Sequence, residues 1–276
     1  MLRRIISGSV LLAMVAVTFT YLPDAWGWVV ILPLAMLGQA ESLHLLDGAG
    51  LRPFPRMSLA MGGLMVVAHW VALLRAPTLA PHIPGLVLAL ALGASGVLQI
   101  RERSGFSVHR MAGTLLAVLY APFLMTFFST LVLWEGGQGR WLLLFMILVV
   151  KCTDIGAYFT GRCCGRHLFA PSVSPKKTWE GCAGGVLTGL VVGLGVWWLA
   201  GEARLGLRAA DAAALGLVLP MVGILGDLLE SQVKRAGQVK DSGASIRGLG
   251  GWLDVLDSLL LAAPVVVAYA LVMLNR

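Results

Sequence analysis

The C-terminal stretch "WLDVLDSLLLAAPVVVAYALVMLNR", residues 252–276, decides the class of this protein. After Asp257 no charged residue appears until Arg276. Crossing the hydrocarbon core of a bilayer takes roughly 20 mostly apolar residues, so this run reads as a membrane span. Its leading end carries Asp254, Asp257 and Ser258. Directly upstream lies "KRAGQVKDSGASIRGLGG", residues 234–251, the most polar and glycine-rich run of the C-terminal half. Dense charge set against a span needs a reason, and the rest of the chain supplies one.

The whole chain is built like its end. It is 58% hydrophobic and only 13% charged, with a mean hydropathy of +0.85, which is outside the range of a soluble domain. Nine spanning segments are predicted, near 5–22, 26–46, 57–75, 83–100, 111–133, 141–160, 182–200, 209–231 and 253–275. A backbone in lipid must satisfy its own hydrogen bonds, and apolar runs of this length do so as helices. The expected fold is therefore an all-α, polytopic, integral membrane protein. Residues 1–276 form one transmembrane domain, with no room for a separate soluble one. Within it, 1–140 is the less informative part and 141–276 holds the candidate site. Arg3 and Arg4 precede the first span like the start of a signal peptide. The following "YLPDAWGW" lacks a small-x-small cleavage site, so a retained anchor is expected.

Orientation follows from the distribution of Lys and Arg. With the N-terminus in the cytoplasm, fifteen fall on the cytoplasmic side and five on the other, with Lys151 inside a span. An odd number of helices then places the C-terminus outside. The expected location is the cell (inner) membrane, multi-pass, with the site facing the cytoplasm. Much of the net charge of +7 is topogenic and attracts anionic lipid; nothing in it calls for a nucleic-acid partner. Cys152, Cys163, Cys164 and Cys182 lack the spacing of a metal site and read as small apolar packers.

Polar residues are sparse in the first five spans, with Glu41, His44 and His69 the exceptions. They gather later. "KCTDIGAYFTGR" (151–162) puts Lys151 and Asp154 on one helix face with Tyr158 a turn further on, either a functional group at membrane depth or an internal ion pair. In "SVSPKKTWEG" (172–181), Ser174-Pro175 is expected to start a turn. Lys176, Lys177 and Thr178 then offer donors before an apolar helix, whose first amides suit an anion. In "GILGDLLESQVKRAGQVKD" (223–241), Asp227 and Ser231 lie one turn apart, as do Glu230 and Lys234. The first pair offers the oxygen donors that a hard divalent cation takes. The second reads equally as a salt-bridged helix end. Finally, "IRGLGG" (246–251) lets backbone amides approach a ligand closely, and Asp254, Asp257 and Ser258 share one face of the last helix. Carboxylates for a metal, cations for phosphates and glycines for close approach are the parts of a phosphoryl or nucleotidyl transfer site. Charge at the membrane edge fits one lipid reactant and one soluble polyphosphate.

These motifs resemble the integral-membrane phosphatidate cytidylyltransferases, or CDP-diacylglycerol synthases. Ser231, Lys234, Arg235, Lys240, Asp241, Gly248, Gly250, Gly251, Asp254, Asp257 and Ser258 fit that family's C-terminal signature in register. "SPKKTWEG" (174–181) and "DIGAYFTGR" (154–162) resemble two further blocks. The likeness covers the last 125 or so residues, and the first half only in topology. Three positions depart from the pattern: Leu249 stands where the family has His, Arg247 where it has the preceding Pro, and Val255 where it has Arg. The resemblance implies transfer of a cytidylyl group from CTP to phosphatidic acid, with release of pyrophosphate. It implies Mg²⁺ held by Asp227 and Asp254, with Ser231 and Asp257 supporting them. Lys234, Arg235, Lys240 and Asp241 would meet the triphosphate or lipid phosphate. Ser174, Lys176, Lys177 and Thr178 would close the site, and Asp154 would lie near its floor. A homodimer is a further implied expectation.

Alternatives stay open at this level. Another lipid phosphate would leave the same motifs, and Leu249 and Val255 are compatible with a catalytically impaired membrane scaffold. A transporter would account for Lys151 and Asp154, but the chain shows no internal repeat and its charges gather on one side.

Overall fold

The computed structural model describes residues 26–102, 107–243, 245 and 250–273. Among these, eight helices are long and apolar enough to cross a membrane. They are α1 (Trp28–Gly48), α2 (Pro55–Arg75), α3 (Ile83–Glu102), α4 (Val108–Val132), α5 (Gln138–Cys164), α6 (Trp179–Ala200), α7 (Ala209–Ala236) and α8 (Leu253–Met273). They match eight of the nine expected segments and establish an all-α, multi-pass architecture. The expected first span, 5–22, lies outside the described residues, as do Arg247 and Leu249.

The described residues divide into two compact units. One runs up to Leu133 and includes Val233–Leu256; the other takes Trp134–Gln232 and everything from Asp257 onward.

In the first unit, buried side chains on α1 and α2 satisfy one another. Gln39 donates to the Ser58 carbonyl at 2.7 Å and lies against Gly62. On α2, His69 uses both ring nitrogens, 3.0 Å from the Ala80 carbonyl and 3.1 Å from Thr130 Oγ1, so this intramembrane histidine is a structural pin. Helix α4 widens into a π turn at Leu119–Phe123, where Pro122 lacks an amide to donate.

The second unit is organised by small residues. Gly181, Gly185, Gly189 and Gly193, each four positions apart, are the buried residues of α6. A Cβ at Gly185 would lie 3.0 Å from Ala157 Cβ and 3.1 Å from the Thr153 carbonyl, and one at Gly193 would lie 3.2 Å from the Ala212 carbonyl. The stripe lets α6 approach α5 and α7 at backbone distance, as helices packed in lipid do. The opposite face, with Leu187, Val191, Trp198 and Leu199, is exposed as a lipid-facing surface would be.

Two expectations need correction here. Ser174-Pro175 does not start a turn: Ser174–Thr178 is strand β2, paired antiparallel with β1 (Leu168–Ala170), and the turn falls at residues 171–173. Pro175 is tolerated because a two-stranded hairpin leaves alternate amides unpaired. Cys163 and Cys164 are exposed in the last turn of α5, so only the half-buried Cys152 and Cys182 remain as packers.

Candidate active site

The second unit gathers acidic groups where α7 meets α8. Gly226 allows it: a Cβ there would lie 2.5 Å from the Asp257 carbonyl oxygen. Asp227, Glu230 and Asp257 consequently present carboxylate oxygens all within 4.8 Å of one another. Asp227 is half-buried, while Glu230 and Asp257 are buried. Like charges packed this closely at membrane depth repel, which neighbouring cations or a retained proton relieve.

Two lysines flank it. Lys177, on β2, lies 2.5 Å from Asp227 Oδ2 and donates to the Ile224 carbonyl at 3.3 Å. Lys151, on α5, donates to Ser258 Oγ at 2.8 Å and stands 3.6 Å from Asp154 Oδ2 and 4.0 Å from Asp257 Oδ1. Residues far apart in sequence, Lys151, Asp154, Lys177, Asp227, Asp257 and Ser258, are thus brought together by one unit. Three carboxylates offering hard oxygen donors fit a divalent cation such as Mg²⁺ or Ca²⁺, whereas a softer metal would want nitrogen or sulfur.

The hairpin that carries Lys177 is itself anchored. Glu180, in the first turn of α6, accepts from the amides of Arg166 and His167 and from His167 Nδ1 at 2.6 Å. Phe169 packs edge-on against Trp179 at 4.5 Å. Thr178 caps α6 by accepting from the Gly181 amide at 3.1 Å. Ser174 and Thr178 are half-buried and Lys176 is exposed.

The first unit holds another part of the expected constellation. Lys234 Nζ donates to Asp254 Oδ1 at 2.6 Å, with both side chains 11% exposed. Asp254 Oδ2 accepts from the Ser242 amide at 2.9 Å, from Ser242 Oγ at 2.8 Å and from the Gly251 amide at 2.7 Å. The glycines expected to admit a ligand make this possible. Gly250 has φ +100°, and its Cβ would overlap the Asp254 carboxylate. Arg235, Lys240 and Asp241 are exposed, and Ser231 is half-buried on α7.

Two participants were not singled out by sequence reasoning. Glu230 had a local explanation in its spacing to Lys234; its spacing of three from Asp227 on the same helix was a signal for one neighbour, and only the fold brings it to Asp257. Glu41, on α1, accepts four hydrogen bonds from Ser242, Ser245, Trp252 and Leu253. Its only sequence signal was being a carboxylate within a span.

Known proteins are similar to this chain in sequence. A phosphatidate cytidylyltransferase of Haemophilus influenzae is 41% identical over 128 residues, covering 46% of this chain and 44% of that one. Another, from Mycobacterium bovis, is 35% identical over 153 residues, 55% of this chain and 48% of the relative. The chain thus spans about half the length of these two. A third, from Synechocystis, is 30% identical over 277 residues, 90% of each chain. The family model described as the cytidylyltransferase family matches residues 2–273. With nearly the whole length matched both by that model and by a relative, this chain belongs to the cytidylyltransferase family.

Proposed function

We propose that the protein is a phosphatidate cytidylyltransferase that joins CTP to phosphatidic acid at the cytoplasmic face of the membrane. The observation that carries the reading is the acidic cluster Asp227, Glu230 and Asp257, flanked by Lys151 and Lys177 on elements of a membrane-embedded unit. In the reaction, a phosphate oxygen of phosphatidic acid attacks the α-phosphorus of CTP. The bond from that phosphorus to the bridging oxygen breaks, and pyrophosphate leaves with the electron pair. The products are CDP-diacylglycerol and pyrophosphate.

The nucleophile is already an anion, so no strong general base is required, and Leu249 in place of a histidine is compatible with turnover. The main barrier is the approach of two anions, which fixed positive charge and orientation lower. Mg²⁺ is the proposed cofactor, and Asp227, Glu230 and Asp257 would hold it; separately, the family resemblance implies a metal role for Asp254 beside Asp227, with Ser231 in support. When bound, it supplies charge neutralisation on the transferring phosphoryl group. Lys177, paired with Asp227, would meet a phosphate oxygen there, with Ser174, Lys176 and Thr178 on the same hairpin. Lys151 holds Ser258 and Asp257 in place, with Asp154 beside it. Lys234, Arg235, Lys240 and Asp241 are assigned to the triphosphate or the lipid phosphate.

The test is purified protein in mixed micelles with phosphatidic acid, Mg²⁺ and labelled CTP, following liponucleotide and pyrophosphate together. The reading expects both products in equal amounts and neither after EDTA. Absence of both under Mg²⁺ would overturn it.

A further inference from the structure

We propose that Glu41 is a positioning residue for the Asp254–Lys234 pair, acting from a helix that carries none of the signature residues. This inference rests on the transfer reading above for its kinetic consequence, but its structural basis stands apart from it.

Glu41 lies on α1 at 9% exposure. Its Oε1 accepts from Ser245 Oγ at 3.0 Å and from the Trp252 amide at 3.0 Å. Its Oε2 accepts from Ser242 Oγ at 2.9 Å and from the Leu253 amide at 2.8 Å. These partners stand 201 to 212 positions away in the chain. The first amides of a helix have no partner within it and must find one elsewhere. At the start of α8, Asp254 takes the Gly251 amide, and Glu41 takes those of Trp252 and Leu253. Two carboxylates therefore divide the entry of this helix between them.

Ser242 links the two. Its hydroxyl lies 2.8 Å from Asp254 Oδ2 and 2.9 Å from Glu41 Oε2, and it has one proton to donate. Its position consequently depends on both. The loop glycines follow the same logic. A Cβ on Gly243 would lie 2.8 Å from Glu41 Oε1, and one on Gly251 would overlap Glu41 Oε2 and Ser242 Oγ. The glycines here let the loop close onto the Glu41 carboxylate. Capping accounts for two of the Glu41 bonds, those from the Trp252 and Leu253 amides; the bonds from the Ser242 and Ser245 hydroxyls lie outside the helix. Glu41 adds four bonds that hold Ser242 and the first turn of α8, and through them the direction in which Asp254 Oδ1 faces Lys234.

Glu41→Gln keeps the shape but turns one acceptor oxygen into an amide donor, and either orientation aims that donor at two other donors. Glu41→Asp keeps both oxygens on a shorter arm. Ser242→Ala cuts the hydroxyl link and leaves both carboxylates intact, so it serves if Glu41→Gln does not fold. Each full-length protein is placed in nanodiscs and treated with a small amine-acylating reagent, and labelling of Lys234 is read by peptide mass spectrometry. Glu41→Gln and Ser242→Ala are expected to raise Lys234 labelling at least about tenfold, with Lys240 unchanged and Glu41→Asp intermediate. In turnover, Glu41→Gln is expected to lower kcat at least about tenfold with the KM for CTP within about twofold. Glu41→Gln/Lys234→Met should be no slower than Lys234→Met alone, because the effect passes through the pair. Unchanged Lys234 labelling in both Glu41→Gln and Ser242→Ala, or losses that multiply in the double variant, would overturn the proposal. If the native protein transfers no cytidylyl group, the transfer reading fails by itself, and the labelling result still decides the role of Glu41.

Discussion

Replacing Lys151 by methionine isolates the electrostatics of the acidic unit. The ammonium lies 3.6 Å from Asp154 Oδ2 and 4.0 Å from Asp257 Oδ1, and it donates to Ser258 Oγ at 2.8 Å. At an effective dielectric of about 20, each of those separations is worth about 4 kcal/mol of attraction. The Asp154 side chain is 43% exposed, so solvent screens that arm strongly. Asp257 is 9% exposed and Lys151 18%, so their interaction is the one that survives. Removing one partner of a buried pair costs about 3–5 kcal/mol, much of it from the charge left behind. Lys151→Met should therefore destabilise the protein by about 3 kcal/mol, at the lower end of that range. The assay is equilibrium unfolding in mixed micelles by SDS, with EDTA present so that no metal compensates, followed by tryptophan fluorescence. Lys151→Met/Asp257→Asn removes the stranded charge and should recover at least half of the loss. A single variant within about 0.5 kcal/mol of the native protein, or a double variant below the single, would refute the reasoning.

Other perturbations address the remaining parts. Glu230→Gln should weaken Mn²⁺ binding, measured by electron paramagnetic resonance, at least about tenfold while the protein stays folded; unchanged affinity would remove Glu230 from the cation set. Gly185→Leu would drive a side chain into Ala157 and the Thr153 carbonyl and should cost at least about 1–3 kcal/mol in the same SDS titration. Thr178→Ala deletes the α6 cap and should cost about 1 kcal/mol, with faster proteolysis of residues 165–178 as its local sign.

The helices were legible because apolar runs of sufficient length have one outcome in lipid. Their ends were less so. The segment expected at 209–231 continues to Ala236, because the Asp254 carboxylate holds the Lys234 ammonium and Arg235 is exposed, so neither charge ends the helix. Helix α5 likewise runs from Gln138 to Cys164 where 141–160 was expected, its polar ends lying outside the apolar window. The hairpin was not legible, since strands of three and five residues, one with a proline, carry no periodic signal. Within the site, Asp227 and Asp257 were readable from spacing, and their meeting depends on Gly226, which only the packing of α7 on α8 explains. The glycines before α8 were expected to let backbone amides approach a ligand. What approaches them is a pair of the protein's own carboxylates, and one of these, Glu41, sits some two hundred positions upstream, where no local motif could point to it.

The most direct test of the account is the rate of cytidylyl transfer by Asp227→Asn and by Asp257→Asn in nanodiscs containing phosphatidic acid, with folding checked by thermal melting. The account predicts that each variant stays folded and loses at least about a hundredfold in kcat, because each removes a carboxylate from the cluster that holds the cation. A folded variant of either kind that kept more than about a tenth of the native rate would contradict it.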